Sequence, residues 1–459
     1  MPQIIDQNLT PSQTLLPFPP SPPQHDLKSY YPTGPQRVPV ADGPPKEPLG
    51  NNTKSAAVLR EKSEAKSASE AFRRAVYKLL AAARKIAPKK HRVGVCMAHP
   101  GTDKSGKMFE HIDIDLIGDK ARFKKVALCG SVSSCPICAP KIMAKRQEEV
   151  LIGCRNHRKN GGSTLMVTLT NAHKRNNSLK EERRKLTKAL SEMKASYEYK
   201  AVKDDYGMIG AVRVIEVTFG KNGWHLHVHE AWFVKGGLTP ELMDKLESRL
   251  FKVWRKHCKK HKLGLPSRAH GVSVDYRESD DPSKDAVGSY ITKLPQELTG
   301  GINKESKLGG ITYWGMLSEL SEQWSLKYER LAKEYMVAMK GMAFTFWSRD
   351  LKAILNVEED MAIAEEERIA EEEPVRDNVK IPVSRWYTVV RAWKHARVLE
   401  VMERHGGKAA LKYVEFIYKR DTYERKRLDR EKSDLRRSIN ESTVEAMKRE
   451  GVERLRRVV

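Results

Sequence analysis

The sequence predicts an α+β chain, a sheet flanked by helices, on three observations. Residues 211–219 and 225–234 read as two strands joined by Gly220-Lys221-Asn222-Gly223, with the glycine and asparagine that a tight turn wants. Residues 165–170 alternate, favour β-branched side chains and follow a Gly161-Gly162 turn, which predicts a further strand. Around these lie stretches at helical spacing, such as 240–257 with Leu242, Leu246, Leu250 and Trp254 on one stripe.

In chain order, residues 1–55 hold 13 of the 23 prolines, densest from Pro17 to Pro23, and read as a disordered arm. Residues 56–90 contain an amphipathic basic helix, 56–87. A cysteine-rich region, 91–150, precedes the main domain, 151–355. In that domain a charged helix, 179–199, follows the first strand, and Ser178 with Glu181 spells a capping box. A strand at 271–276 leads to the acidic loop 278–285. Helical patterns occupy 313–338, and 344–351 closes the domain. The remainder, 356–459, reads as a charged helical extension, with an acidic helix at 358–373 and a very basic tail from 383.

Six cysteines in 459 residues do not make a disulfide framework, so reduced thiols in the cytoplasm are the expectation. Cys135-Pro136-Ile137-Cys138 is a CxxC, Cys129 stands six residues before it, and Cys96 lies upstream. Four thiolates bind Zn²⁺ tetrahedrally in closed structural sites, and these four are the expected set, with His99 as an alternative fourth ligand. Cys154 and Cys258 read as ordinary thiols. The basic run after the CxxC, including Lys141, Lys145 and Arg146, opens a helix and is a candidate DNA-contacting edge.

The densest chemistry lies in Trp224-His225-Leu226-His227-Val228-His229. On a strand, successive side chains face opposite ways, so His225, His227 and His229 share one face while Leu226 and Val228 take the other. The imidazole face can then offer two or three nitrogens to one metal ion. Glu216, on the preceding strand, could add a carboxylate; pairing with a basic group is its simpler role. Either His227 with His229 or His225 with His227 could be the core pair. His173 sits just past the first strand, near the metal or merely on a loop. Downstream, the helix expected around Tyr290 puts Lys293 one turn away on the same face. A tyrosine oxygen can attack a phosphodiester beside a cation that offsets the developing charge, and a lysine can steady the phosphate or phenolate.

Four stretches together resemble the rolling-circle replication initiators of bacterial plasmids, within the HUH endonuclease superfamily. They are Leu128 to Ile142, Leu165 to His173, Ile215 through the histidine strand, and the Tyr290 segment. A later stretch, Lys340 to Leu351, is also similar. The resemblance spans roughly 90–355, and Cys96 matches a cysteine that usually opens this region in such proteins. It implies an HUH core, a central antiparallel sheet flanked by helices in an RRM-like arrangement. It implies Mg²⁺- or Mn²⁺-dependent nicking and rejoining of a single strand at the origin, with Tyr290 forming a 5′-phosphotyrosine and leaving a 3′-OH primer. Some initiators carry a glutamate four residues before the tyrosine; this chain has Ala286 there and Asp285 one earlier, which leaves the termination step open. A relaxase or single-strand transposase with the same chemistry, and a non-catalytic zinc protein that binds nucleic acid, are the competing readings.

Charge agrees with a polyanionic partner. Lys and Arg number 84 against 59 Asp and Glu, a net charge of +25, which favours fast association with DNA. No apolar run approaches the roughly eighteen residues of a membrane span, and no signal peptide opens the chain. Host helicase, polymerase and self-association are expected partners beyond the DNA.

Overall fold

The computed structural model describes residues 52–276 and 310–456. The Pro-rich arm through residue 51, the acidic loop, and Tyr290 with Lys293 lie outside the described residues. The elements run α1 (Asn52–Ile86), β1 (His111–Ile117), β2 (Lys120–Lys124), α2 (Cys138–Lys159), β3 (Ser163–Thr170), α3 (Leu179–Ala195), α4 (Tyr197–Asp205), β4 (Met208–Gly220), β5 (Gly223–Val234), α5 (Pro240–Lys260) and β6 (Val272–Tyr276). After the gap come β7 (Ile311–Thr312), α6 (Tyr313–Glu322), α7 (Leu326–Ala338), β8 (Thr345–Trp347), α8 (Leu351–Ile354), α9 (Val357–Glu371), β9 (Val375–Pro382), α10 (Val383–Arg391) and α11 (His395–Arg456). The α+β expectation is met. Two compact units result, one from residues 52–96 and 127–373, the other from 97–126 and 374–456.

The larger unit is built on one sheet in the order β6-β3-β5-β4-β7, with β8 also on β4. Every pairing in it is antiparallel. β5 is central because the β4–β5 hairpin closes through Lys221-Asn222-Gly223. Gly223 sits at φ +91°, and a Cβ there would come within 2.8 Å of Arg175 Cα, so the turn needs glycine on both counts. One face of β5 carries Trp224, Leu226, Val228, Glu230, Trp232 and Val234, all buried. Helices α3, α4, α5 and α7 cover that face, as the Tyr199–Trp232 and Trp224–Tyr335 ring contacts and the Trp254 indole donating to Thr170 O attest. The other face has two halves. Ala231 and Phe233 join a core with Val150, Ile152, Leu351, Leu355 and Val357 from α2, α8 and α9. The opposite half presents the histidines.

Local departures from expectation have physical causes. Ser178 precedes α3 but makes no side-chain cap; the Leu179 N–H donates to Glu334 of α7 at 2.8 Å, while Glu181 turns to Arg184. The expected single helix 179–199 breaks because the Ser196 hydroxyl caps α4 by accepting from Tyr199 N–H. Leu242 is exposed, whereas Leu246, Leu250 and Trp254 are buried, so the apolar stripe of α5 begins a turn later. Part of 344–351 is the strand β8, paired with Val212 to Val214. Glu230, which interrupts the apolar run of β5, is wholly buried and held by Lys194 Nζ at 2.6 Å and Trp232 Nε1 at 3.0 Å. Removing one partner of such a pair strands a buried charge. Lys194→Met is therefore expected to cost roughly 3 kcal/mol, read as a lower urea midpoint at unchanged slope.

The smaller unit is a three-stranded antiparallel sheet, β2-β1-β9, backed by α10 and α11. Ile112 and Ile114 point into its core with Phe123, on which Trp386 packs edge-on at 4.9 Å. On the other side, buried Asp113 and Asp115 are met by Lys125 at 2.8 Å and Lys124 at 2.6 Å. A strand thus lies between the helices expected beyond 356, and α11 changes direction at Gly406, φ +76°.

Candidate active site and metal centre

Register decides what shares the imidazole face. In an antiparallel pair, directly opposed residues project together. Thr168 opposes His229, Thr170 opposes His227, and on the other side Glu216 opposes His227. Thr168 Oγ1 lies 3.0 Å from His229 Nδ1, and Thr170 Oγ1 lies 3.1 Å from His227 Nδ1. Each hydroxyl engages its ring through Nδ1 and leaves Nε2 for another partner, as an oriented metal-binding histidine requires. The Glu216 carboxylate is 3.3 Å from His229 Nε2, with its side chain 29% exposed. His225 packs against His227 with centroids 3.7 Å apart, and His173 stacks on His225 at 4.2 Å. His173 thus stacks on the imidazole row from the loop that follows β3.

Burial governs the protonation of His173, His225 and His227. Desolvation, then the neighbouring imidazoles, pushes His225 down to about 3; desolvation pulls His227 to about 4 against the opposing pull of Glu216. His173 is also lowered by burial. Neutral imidazole is the form a metal accepts, so protons do not compete for His225 and His227 at neutral pH. The set is looser than a closed cage. Among the described residues, two groups bring at least three ligand atoms within 4.8 Å of one another, and the histidine strand with Glu216 is not among them. The rings of His227 and His229 stand 5.9 Å apart and nearly parallel. The donor chemistry and the held Nδ1 atoms nevertheless fit a divalent cation.

The tight group in the cysteine region is Cys96, Cys129, Cys135 and Cys138, all buried and none disulfide-bonded. Sulfur separations are 3.4 Å for Cys135–Cys96, 3.7 Å for Cys96–Cys138 and 3.8 Å for Cys129–Cys138. A tetrahedral ion with 2.3 Å bonds to sulfur spaces its ligands by about 3.8 Å, so the four thiols can close on one metal with little movement. Backbone N–H groups of Ser131 and Cys138 donate to the Cys129 and Cys135 sulfurs at 3.4 Å each. Hydrogen bonds from the other three thiols drive Cys138 well below its ordinary value, while burial raises Cys135. Arg84 of α1 donates to the Cys96 carbonyl and brings positive charge to the thiolates. The Tyr313 hydroxyl holds the loop through Ser134 O at 3.1 Å. His99 instead contacts Tyr387 at 3.4 Å, which leaves Cys96 as the fourth member of the cluster.

Tyr290 and Lys293 lie outside the described residues, so no distance joins them to the imidazoles. On α2, Lys145 is exposed, and Lys141 and Arg146 are half-buried, with Arg146 lowered by burial. Thr168, Thr170 and Arg84 were not singled out from sequence. The threonines had a signal, two hydroxyls at period two on a neighbouring strand; Arg84 had none.

Residues 120–260 match a family model described as "Replication protein", a span containing three of the four cysteines, the imidazole row and Glu216. The chain is similar to replication proteins. Over 297 residues it is 24% identical to "Protein rep" of Streptomyces lividans, covering 50% of this chain and 64% of that relative. Over 130 residues it is 31% identical to "Protein rep" of Lentilactobacillus hilgardii, covering 27% of this chain and 40% of that relative. The chain thus matches less than two thirds of the length of either. No solved structure gives a match. The resemblance to replication initiators is borne out by these relatives. Among the described residues no helix is long and apolar enough to cross a membrane.

Proposed function

We propose that the chain is a cytoplasmic initiator of rolling-circle plasmid replication, with an HUH-type core that nicks and rejoins one DNA strand at its origin. The observation that carries this reading is the imidazole row on the central strand, with His227 and His229 held through Nδ1 by threonine hydroxyls, in a chain similar to replication proteins. His227 and His229 form the core pair. Glu216 and His225 complete the set that holds Mg²⁺ or Mn²⁺. When bound, that cation supplies Lewis-acid polarisation of the scissile phosphoryl group.

The chain's own groups do the rest. The Tyr290 phenol gives up its proton as its oxygen bonds to phosphorus, the bond from phosphorus to the 3′ oxygen breaks, and that oxygen takes up a proton, so none is gained or lost overall. One phosphodiester replaces another, so the step is near-neutral in energy and needs no nucleotide cofactor. Lys293 steadies the phosphate as a point charge. The cysteine cluster holds Zn²⁺ and shapes the region ahead of α2, whose Lys141, Lys145 and Arg146 contact the DNA backbone. The free 3′-OH serves the host polymerase, with helicase contacts or self-association as further roles of the extension.

Incubating the full chain with single-stranded origin DNA and Mn²⁺, followed by peptide mapping, tests the reading. A nucleotide-linked peptide carrying Tyr290 is expected. A relaxase or transposase would form the same adduct while the plasmid replicates without the gene. Tight DNA binding with no adduct on any tyrosine would leave a non-catalytic zinc protein.

A further inference from the structure

The second tight donor group lies away from both sites already described. Glu192 projects from α3, His257 from α5, and His261 caps the C-terminus of α5. Their ligand atoms all fall within 4.8 Å of one another. His257 and His261 are four apart, so helical geometry stacks them on one face of α5, toward the helix that carries Glu192. His261 Nε2 is 3.0 Å from the Glu192 carboxylate.

A second, independent observation points to a ligand. His257 is 5% exposed, and neither of its ring nitrogens has a hydrogen-bond partner. An imidazole buried with both nitrogens unsatisfied pays a desolvation penalty that a partner would remove. The group in contact with Glu192 from outside is Lys260, whose ammonium is 2.5 Å from Oε2 but whose side chain is 63% exposed. A flexible surface lysine of that kind holds its partner weakly and can swing into water.

We propose that Glu192, His257 and His261 form a further transition-metal site, of the class that takes Zn²⁺ or Co²⁺, and that it staples α3 to α5. Two imidazole nitrogens and one carboxylate oxygen are a borderline donor set that suits Zn²⁺, with a fourth position left for water. The site is chemically distinct from the thiolate cluster. It is also on the other side of the sheet from His227, because α3 reaches the opposite face of β5 through the Lys194–Glu230 pair.

Glu192→Gln keeps the shape of a half-exposed side chain and His261→Ala trims one just past the end of α5, so both variants should fold, as far-UV circular dichroism will verify. The full-length proteins are equilibrated with Zn²⁺ alone and their metal content measured. Each variant is expected to hold one Zn²⁺ fewer than the parent chain. On Co²⁺ substitution the lost absorbance should lack thiolate charge-transfer character, which stays intact in both. Zn²⁺ should slow amide exchange at the facing ends of α3 and α5 in the parent and not in the variants. His227→Ala should remove a different equivalent, so that His227→Ala with His261→Ala removes two. Equal Zn²⁺ content in the parent and both variants would overturn the proposal and leave a plain histidine–carboxylate contact.

Discussion

His227→Ala is expected to reduce nicking of origin single strand in Mn²⁺ by about a thousandfold or more, with DNA binding unchanged. Metal-assisted displacement at phosphorus is worth several kcal/mol, and each 1.4 kcal/mol is about a factor of ten. His227 lies at the centre of the row, opposite Glu216 and Thr170 and in contact with His225, so its loss dismantles the donor set from the middle. Its side chain is half-buried and points away from the helix-covered face, where Leu226 and Val228 make the packing contacts. The fold should therefore survive, and circular dichroism with gel-shift affinity should match the parent. Thr170→Val keeps the shape and deletes only the hydroxyl at Nδ1. Loss of such an orienting partner typically costs 10- to 100-fold, so Thr170→Val should fall between the parent and His227→Ala, with a raised Mn²⁺ requirement. Full nicking by His227→Ala would remove the imidazole row from the chemistry and leave it a packed strand surface.

The parts legible in the sequence were those written by local periodicity. The β4–β5 hairpin, the alternation of β3, the imidazole face and a helical 313–338, which the structure divides into α6 and α7, follow from spacing and turn chemistry. The sheet of the smaller unit was not read. Its first strand, His111-Ile112-Asp113-Ile114-Asp115-Leu116-Ile117, alternates from His111 to Leu116 and turns at Gly118, a signal of the same kind as that of β3. β9 gave no comparable signal. Val375 to Pro382 owes its extended state to pairing with β1, more than 250 residues earlier, and local pattern cannot carry a contact of that range. The Ser178 cap failed for a similar reason: a carboxylate from α7 reaches the helix start first. Within the candidate site, the imidazoles and thiols stand out by their spacing and their supports do not, because Thr168, Thr170 and Arg84 matter only through register and packing.

Cys138→Ser is expected to remove one tightly bound metal equivalent and to lower the melting temperature of the larger unit by roughly 10 °C. A closed four-thiolate site contributes its binding energy directly to folding, since the unfolded chain holds no such site. A loss of about 3 kcal/mol in a domain of this size shifts the midpoint by roughly 6–12 °C. Cys138 is the natural residue to test. It is the thiol that its neighbours' hydrogen bonds drive furthest toward thiolate, it contacts both Cys96 and Cys129, and it begins α2. Serine keeps the helix start and deletes the soft ligand. The consequences should spread along two connections, Tyr313 to the Ser134 carbonyl and Arg84 to Cys96, so that α1 and α6 exchange faster as well. Cys154→Ser and Cys258→Ser serve as controls, because neither residue belongs to the cluster and both should retain full metal content. A disulfide reading makes the opposite forecast. Sulfurs 3.4 to 3.8 Å apart are well outside the roughly 2.05 Å of a covalent bridge, so thiol reductant should leave stability unchanged while a strong zinc chelator lowers it. Equal metal content in Cys138→Ser and the parent would show that the four thiols are only a packed core.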